Sequence, residues 1–337
     1  MNPVRKFFNA IVRTITVISA LISGLSNGVK YFHSLAIIAI IVFCGWSNAY
    51  SQVIISEQSS VFSDADYKIS ISEWVTKGDF RMYGGPKSSS NKWELTHPLD
   101  GGMTQILFAY TEKRNSPYVV NISLGGGNIR QGTIRDTDWD ANGVVSDLSY
   151  STSNGETLNF SFTTDYRVTD ITEPYEFYLT FGYNYLDISV DYRNALTTVF
   201  SYTPVAILTP VKWQIYDLLY QGLEIGVKGK SEVLTGLLLS GSLGYAPFTM
   251  AEYKGTRYPD DIPVPAKKEH IVAYGAALSY ELKLSYNLSE SFFIDGGYRY
   301  NSYRTKGEDQ PDGDWAPANE ELDADFKGFF FGSTLKF

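Results

Sequence analysis

Residues 272–288 read Val-Ala-Tyr-Gly-Ala-Ala-Leu-Ser-Tyr-Glu-Leu-Lys-Leu-Ser-Tyr-Asn-Leu. Val272, Tyr274, Ala276, Leu278, Tyr280, Leu282, Leu284, Tyr286 and Leu288 fall on alternate positions, interleaved with Ala273, Gly275, Ala277, Ser279, Glu281, Lys283, Ser285 and Asn287. A repeat of two sends the first set to one side of a sheet and the second to the other. The run is long for a soluble strand, which averages about 5–6 residues. It is ample for a tilted membrane strand, which needs about 9–11.

The pattern recurs on both sides of this stretch. Leu158, Phe160 and Phe162 alternate with Asn159, Ser161 and Thr163, and Leu223, Ile225 and Val227 with Glu224, Gly226 and Lys228. Phe292, Ile294, Tyr298 and Tyr300 share a face against Asp295, Arg299 and Asn301. Phe329, Phe331, Leu335 and Phe337 do the same against Thr334 and Lys336. Period alone does not say which face meets water. The strand lengths, the 25 Tyr and 20 Phe, and the terminal aromatic favour a membrane barrel over a soluble sandwich.

The expected fold is therefore all-β: a transmembrane antiparallel β-barrel of about ten strands. The expected strands cover 67–83, 92–110, 117–127, 157–168, 176–190, 213–228, 231–247, 269–287, 291–304 and 325–337. Short connections are expected at 112–117, 169–174, 229–230 and 289–290, and long outer loops near 84–91, 128–156, 191–213, 250–268 and 306–324. Short turns face the periplasm and long loops the exterior. So narrow a lumen can be filled by side chains such as Glu281, Lys283, Asp295 and Arg299.

The first 49 residues differ from the rest. They carry Arg5, Lys6, Arg13 and Lys30 but no acid, then an apolar run from Leu35 to Cys44 and the small-residue exit Ser47-Asn48-Ala49. This reads as an export signal with an extended head, residues 1–49, followed by a polar lead-in, 50–66, and the barrel, 67–337. The apolar run is too short to span a bilayer as a helix. Cys44 is the only cysteine, so the processed chain has no thiol chemistry and no disulfide. Processing leaves 24 Lys and Arg against 37 acids, a net charge near −13. That balance excludes nucleic acid as a main partner. The expected partner is outer-membrane lipid.

Chemistry, if any, is expected in the longest outer loop, which contains Arg135-Asp136-Thr137-Asp138-Trp139-Asp140. Two carboxylates one residue apart at a strand end project to one side and can share a proton or hold a water. The plainer reading is a solvated acidic turn. The chain has no Gly-x-Ser-x-Gly, no Cys/His metal set and no phosphate loop. The acids from Glu308 to Asp325 lack EF-hand spacing. No cofactor is expected.

Gly125-Gly126-Gly127-Asn128-Ile129 followed by Asp136-Thr137-Asp138-Trp139 resembles the glycine-rich strand end and Asp-x-Asp-Trp loop of the omptin family of outer-membrane proteases. Phe181-Gly182-Tyr183, the Tyr-rich set Trp213, Tyr216, Tyr220 and Gly222, and the closing Gly332 to Phe337 resemble later strands of that family, in order. The resemblance implies a ten-stranded barrel in which a water is activated between an Asp-Asp pair and an Asp-His pair. Asp136 and Asp138 match the first pair. The stretch 250–261 has no Asp-x-His, which leaves His270 as the candidate base and His97 as structural. Tyr83-Gly84-Gly85-Pro86 lacks the acid that receives a basic substrate side chain. The resemblance also implies lipopolysaccharide at the outer rim and peptide or protein substrates at the mouth. Two functions stay open: an omptin-like endopeptidase, or a non-enzymatic surface-binding barrel or narrow porin.

Overall fold

The computed structural model describes residues 66–84, 92–111, 116–130, 132–140, 143–169, 174–200, 214–257, 267–309 and 319–337. The expected export signal, the lead-in up to residue 65 and several loop tips lie outside these. The described chain forms twelve strands: β1 (Asp66–Gly84), β2 (Lys92–Pro98), β3 (Gly101–Thr111), β4 (Tyr118–Ile129), β5 (Thr133–Asp140), β6 (Gly143–Arg167), β7 (Tyr175–Phe200), β8 (Gln214–Leu234), β9 (Leu237–Arg257), β10 (Lys267–Ser289), β11 (Phe292–Asp309) and β12 (Asn319–Lys336). β2 and β3 both pair with β1, one above the other, and β4 and β5 both pair with β6. Each couple is thus one interrupted stave. The twelve segments make a closed antiparallel barrel of ten staves, sealed where β12 pairs with β1.

Both interruptions are stitched by backbone. Leu99 N donates to Gly78 O at 2.8 Å and Arg130 N to Asp100 O at 2.7 Å. Gly78 N donates to Asp100 Oδ1 at 3.1 Å. A Cβ on Gly78 would lie 2.1 Å from Asp325 O, so the close approach of β1 to β12 beside the kink requires glycine.

The greasy set faces outward. Tyr274, Leu282 and Phe331 are 66%, 54% and 66% exposed, whereas Ile271 and Ala273 are fully buried. Water does not stabilise such a girdle; a bilayer does, and closure satisfies every edge that lipid would leave bare. Aromatic contacts mark both borders. Tyr67–Tyr110 (5.3 Å) and Tyr118–Tyr166 (5.1 Å) lie at the short-turn end. Tyr280–Tyr300 (5.2 Å) and Tyr298–Phe329 (5.3 Å) lie toward the other.

The strands run further outward than the hydrophobic alternation predicts. β6 begins at Gly143 and β7 continues to Phe200, so most of the expected loop at 128–156 and the part of 191–213 up to Phe200 are paired strand. Beyond the girdle both faces of the wall carry polar groups or the pattern reverses, so the period-two signal stops while backbone pairing does not. A turn was misplaced as well. β8 crosses the expected turn at Gly229-Lys230, and the hairpin closes instead at Thr235-Gly236, where Gly236 has φ +78°.

Two layers fill the interior. Near the girdle it is polar: Arg299 donates to Glu281 Oε2 at 2.5 and 2.8 Å and to Gln105 Oε1 at 2.6 Å. The same guanidinium lies over the rings of Trp74 and Phe330 at 5.3 and 5.1 Å. Buried Asp295 accepts from Ser285 Oγ at 2.5 Å and from Thr334, with Lys283 at 3.9 Å. The expected lumen fillers Glu281, Lys283, Asp295 and Arg299 all meet there. Further from the short turns the interior becomes apolar.

Candidate functional site

The outer half of the lumen is built from residues that alternate inward on strands already past the girdle. Phe80 and Met82 of β1, Leu95 of β2, Tyr216 and Leu218 of β8, Tyr253 of β9, Ile271 of β10 and Leu322 of β12 are all buried. Four rings cluster at its centre. Phe80 lies 6.0 Å from both Tyr216 and Tyr253, and Tyr216 lies 5.7 Å from Tyr253. His97 completes the group, 5.1 Å from Phe80 and 4.4 Å from Tyr216, and is fully buried. Burial penalises the imidazolium and holds the His97 pKa down at about 3, so the ring is neutral.

The carboxylates expected in a loop stand instead on β5. Asp136 pairs with Leu95 and Leu148, and Asp138 with Trp93 and Ser146. Strand alternation puts positions 136 and 138 on the face shared with buried Ile134 and, across the ladder, Leu95. His97, on the same face of β2 two residues from Leu95, is diagonal to position 136. This neighbourhood depends on the β2–β5 register, which spacing along the chain does not encode.

His270 is elsewhere. Its strand neighbour Ile271 points inward, and His270 shares the outer face with Tyr274. Its Nε2 meets Glu252 Oε1 at 2.9 Å, and Lys254 Nζ reaches the same oxygen at 2.7 Å. The Lys254 ammonium first, and then His270, hold the Glu252 carboxyl below the ordinary carboxylate range against the opposing effect of burial. Positions 136 and 138 thus share one face of β5, and His270 lies on the outer face of β10.

The outer face above the girdle carries a mixed belt of charge. Arg304 donates to Asp325 at 2.6 Å, Tyr300 donates to the other oxygen of Asp325 at 2.8 Å, and Tyr83 donates to Asp323 at 3.1 Å. Arg81 pairs with Asp79 at 2.8 Å. At the lower border of this belt Lys77 and Lys327 stand directly opposite each other, both exposed, one step above Val75 and Phe329. Among the described residues no group of three or more His, Cys, Asp or Glu could hold a metal.

These features define the fold of an outer-membrane β-barrel of ten strands. Comparison with solved structures agrees. The chain is similar to the outer membrane protease OmpT of Escherichia coli, with a TM-score of 0.62 at 12% identity over 83% of this chain and 99% of that one. Weaker likenesses are to a major outer membrane protein of Thermus thermophilus (TM-score 0.32, 14% identity, 81% and 99% covered) and to OprG of Pseudomonas aeruginosa (0.28, 13%, 81% and 96%). No protein-family description and no curated protein sequence matches.

Proposed function

We propose that the chain is a plugged, non-enzymatic barrel of the outer membrane, exported by residues 1–49, whose raised strands form a surface-binding platform. One observation carries this reading: His270, the candidate base, is bonded to Glu252 on the outside of the wall, while the outer lumen is packed by buried Phe80, Met82, Tyr216, Leu218 and Tyr253. A hydrolytic water needs a base within hydrogen-bond reach, directly or through one water. Lys77 and Lys327 suit the phosphates of outer-leaflet lipid such as lipopolysaccharide, because adjacent ammoniums at the lipid border repel each other until an anion joins them.

The second reading is an omptin-like endopeptidase using Asp136, Asp138 and His270. It is supported by the shared face of positions 136 and 138 on β5 and by the overall likeness to OmpT. A fluorogenic dibasic peptide offered to outer membranes containing the chain separates the two. The platform reading expects no cleavage above vesicles lacking the protein. Cleavage abolished by Asp138→Ala would replace it with the protease.

A further inference from the structure

The short-turn end of the lumen has a charge balance opposite to that of the chain. The whole sequence carries a net charge of −9. Yet among the described residues the inner face at this end presents Lys68, Arg167, Lys230 and Lys336 against the paired carboxylates of Asp66 and Glu176. Lys230 pairs with Glu176 at 3.2 Å and Lys336 with Asp66 at 3.2 Å. Lys228, one step further in, is neutralised by Asp165 at 3.1 Å. Glu232 is committed to the hairpin turn, where it accepts from Gly236 N at 2.7 Å. Two cations remain. Lys68 has no carboxylate within ion-pair distance among the described residues, and neither has Arg167, whose buried Nε lacks a hydrogen-bond partner there and whose guanidinium lies 5.7 Å from the centre of the Tyr178 ring.

The arrangement is convergent. Lys68 stands directly opposite Lys336 in the β1–β12 register, a like-charge pair that destabilises a sheet when left alone. β8, which carries Lys230, is five staves from β1 in a ring of ten, so Lys230 reaches Lys68 from the opposite wall. Lys230 and Lys336 both lie close enough to repel Lys68, Glu176 and Asp66 attract it less strongly, and Arg167 acts on the same Glu176 that Lys230 binds. Above them the lumen is closed by the Glu281–Arg299 pair, so a solute reaches these groups only from the short-turn, periplasmic side.

We propose that this vestibule is an anion site for a phosphate-class dianion, held by Lys68 and Arg167 and flanked by Lys230 and Lys336. A narrow, partly desolvated space in which four cations face two carboxylates among the described residues is unfavourable without a further counter-charge. Ammonium and guanidinium donors together fit phosphate oxygens. The phosphate comes from a soluble phosphate compound or from the headgroup of an inner-leaflet lipid.

The test uses the full processed chain in uncharged maltoside micelles, with the unfolding temperature followed by heat-modifiable gel mobility. One arm adds inorganic phosphate, a second adds phosphatidic acid to the micelles, and both are compared with chloride at equal ionic strength. A rise in unfolding temperature with phosphate assigns a soluble ligand; a rise with phosphatidic acid alone assigns a headgroup. In Lys68→Gln the midpoint of the response weakens by about tenfold or more, as loss of one charge-assisted contact implies, and the anion-free protein becomes more stable. Lys336→Gln gives the same comparison should Lys68→Gln fail to fold. If neither anion shifts the wild-type protein beyond chloride, or if the variants respond as wild type does, the proposal is overturned.

Discussion

His97 is packed by Phe80 and Tyr216 where solvent does not reach, and its pKa lies at about 3, against about 6.5 for a free imidazole. A depressed pKa means the unfolded chain takes up the proton first. The neutral ring therefore costs nothing above pH about 6.5, and stability falls as pH drops from there toward 3, by up to about 1.4 kcal/mol per unit. Many carboxylates titrate in the lower part of that window, so the difference between wild type and His97→Phe isolates the histidine. The wild-type protein is expected to lose more stability than the variant between pH 7 and pH 5, read from unfolding midpoints in detergent. Equal slopes would show that water reaches the ring. At this scale the sequence was partly legible. The inward and outward positions of a strand follow from alternation, but pairs such as His270 with Glu252 do not, since cross-strand partners are set by register rather than by spacing along the chain.

The elements were legible wherever lipid dictates one face. β10, β11 and β12 follow the alternation that Val272 to Leu288 and Phe329 to Phe337 display. Above the girdle that alternation loses its meaning, which is why β5, the start of β6 and the end of β7 were read as loop. β1 contains one exception inside the girdle itself. Glu73 lies on the outer face between Ile71 and Val75, exposed, and accepts from Thr104 Oγ1 at 2.6 Å. An acid on a lipid face is unfavourable, though by less than the roughly 2–4 kcal/mol of a basic residue at the midplane. Glu73→Val is accordingly expected to raise unfolding stability by about 1 kcal/mol in phospholipid bilayers, measured by urea titration of the refolded barrel. A loss of stability would mean that the carboxylate has a partner in the membrane beyond Thr104.

For the whole molecule, the decisive property is what occupies the lumen. A ten-stave ring is narrow, and its side chains fill it in sequence: a cationic vestibule, then the Asp295 and Glu281–Arg299 networks, then the apolar layer around Phe80, Tyr216 and Tyr253. An ion crossing the barrel must break hydrogen-bonded charge pairs and also pass a packed layer whose few polar atoms, on His97, Tyr216 and Tyr253, leave most of its desolvation uncompensated. The purified chain is therefore expected to be silent in planar bilayers at moderate voltage, with no steps above the lipid baseline. Opening the polar layer alone should not change this, so Arg299→Ala remains silent. Opening the apolar layer alone, as in the double substitution Phe80→Ala with Tyr253→Ala, leaves the Arg299 network in place and is silent too. Only the combination joins the two ends with water and conducts. Regular single-channel steps from the wild-type protein would mean that the apolar layer parts on its own, and would turn the reading from a platform to a pore.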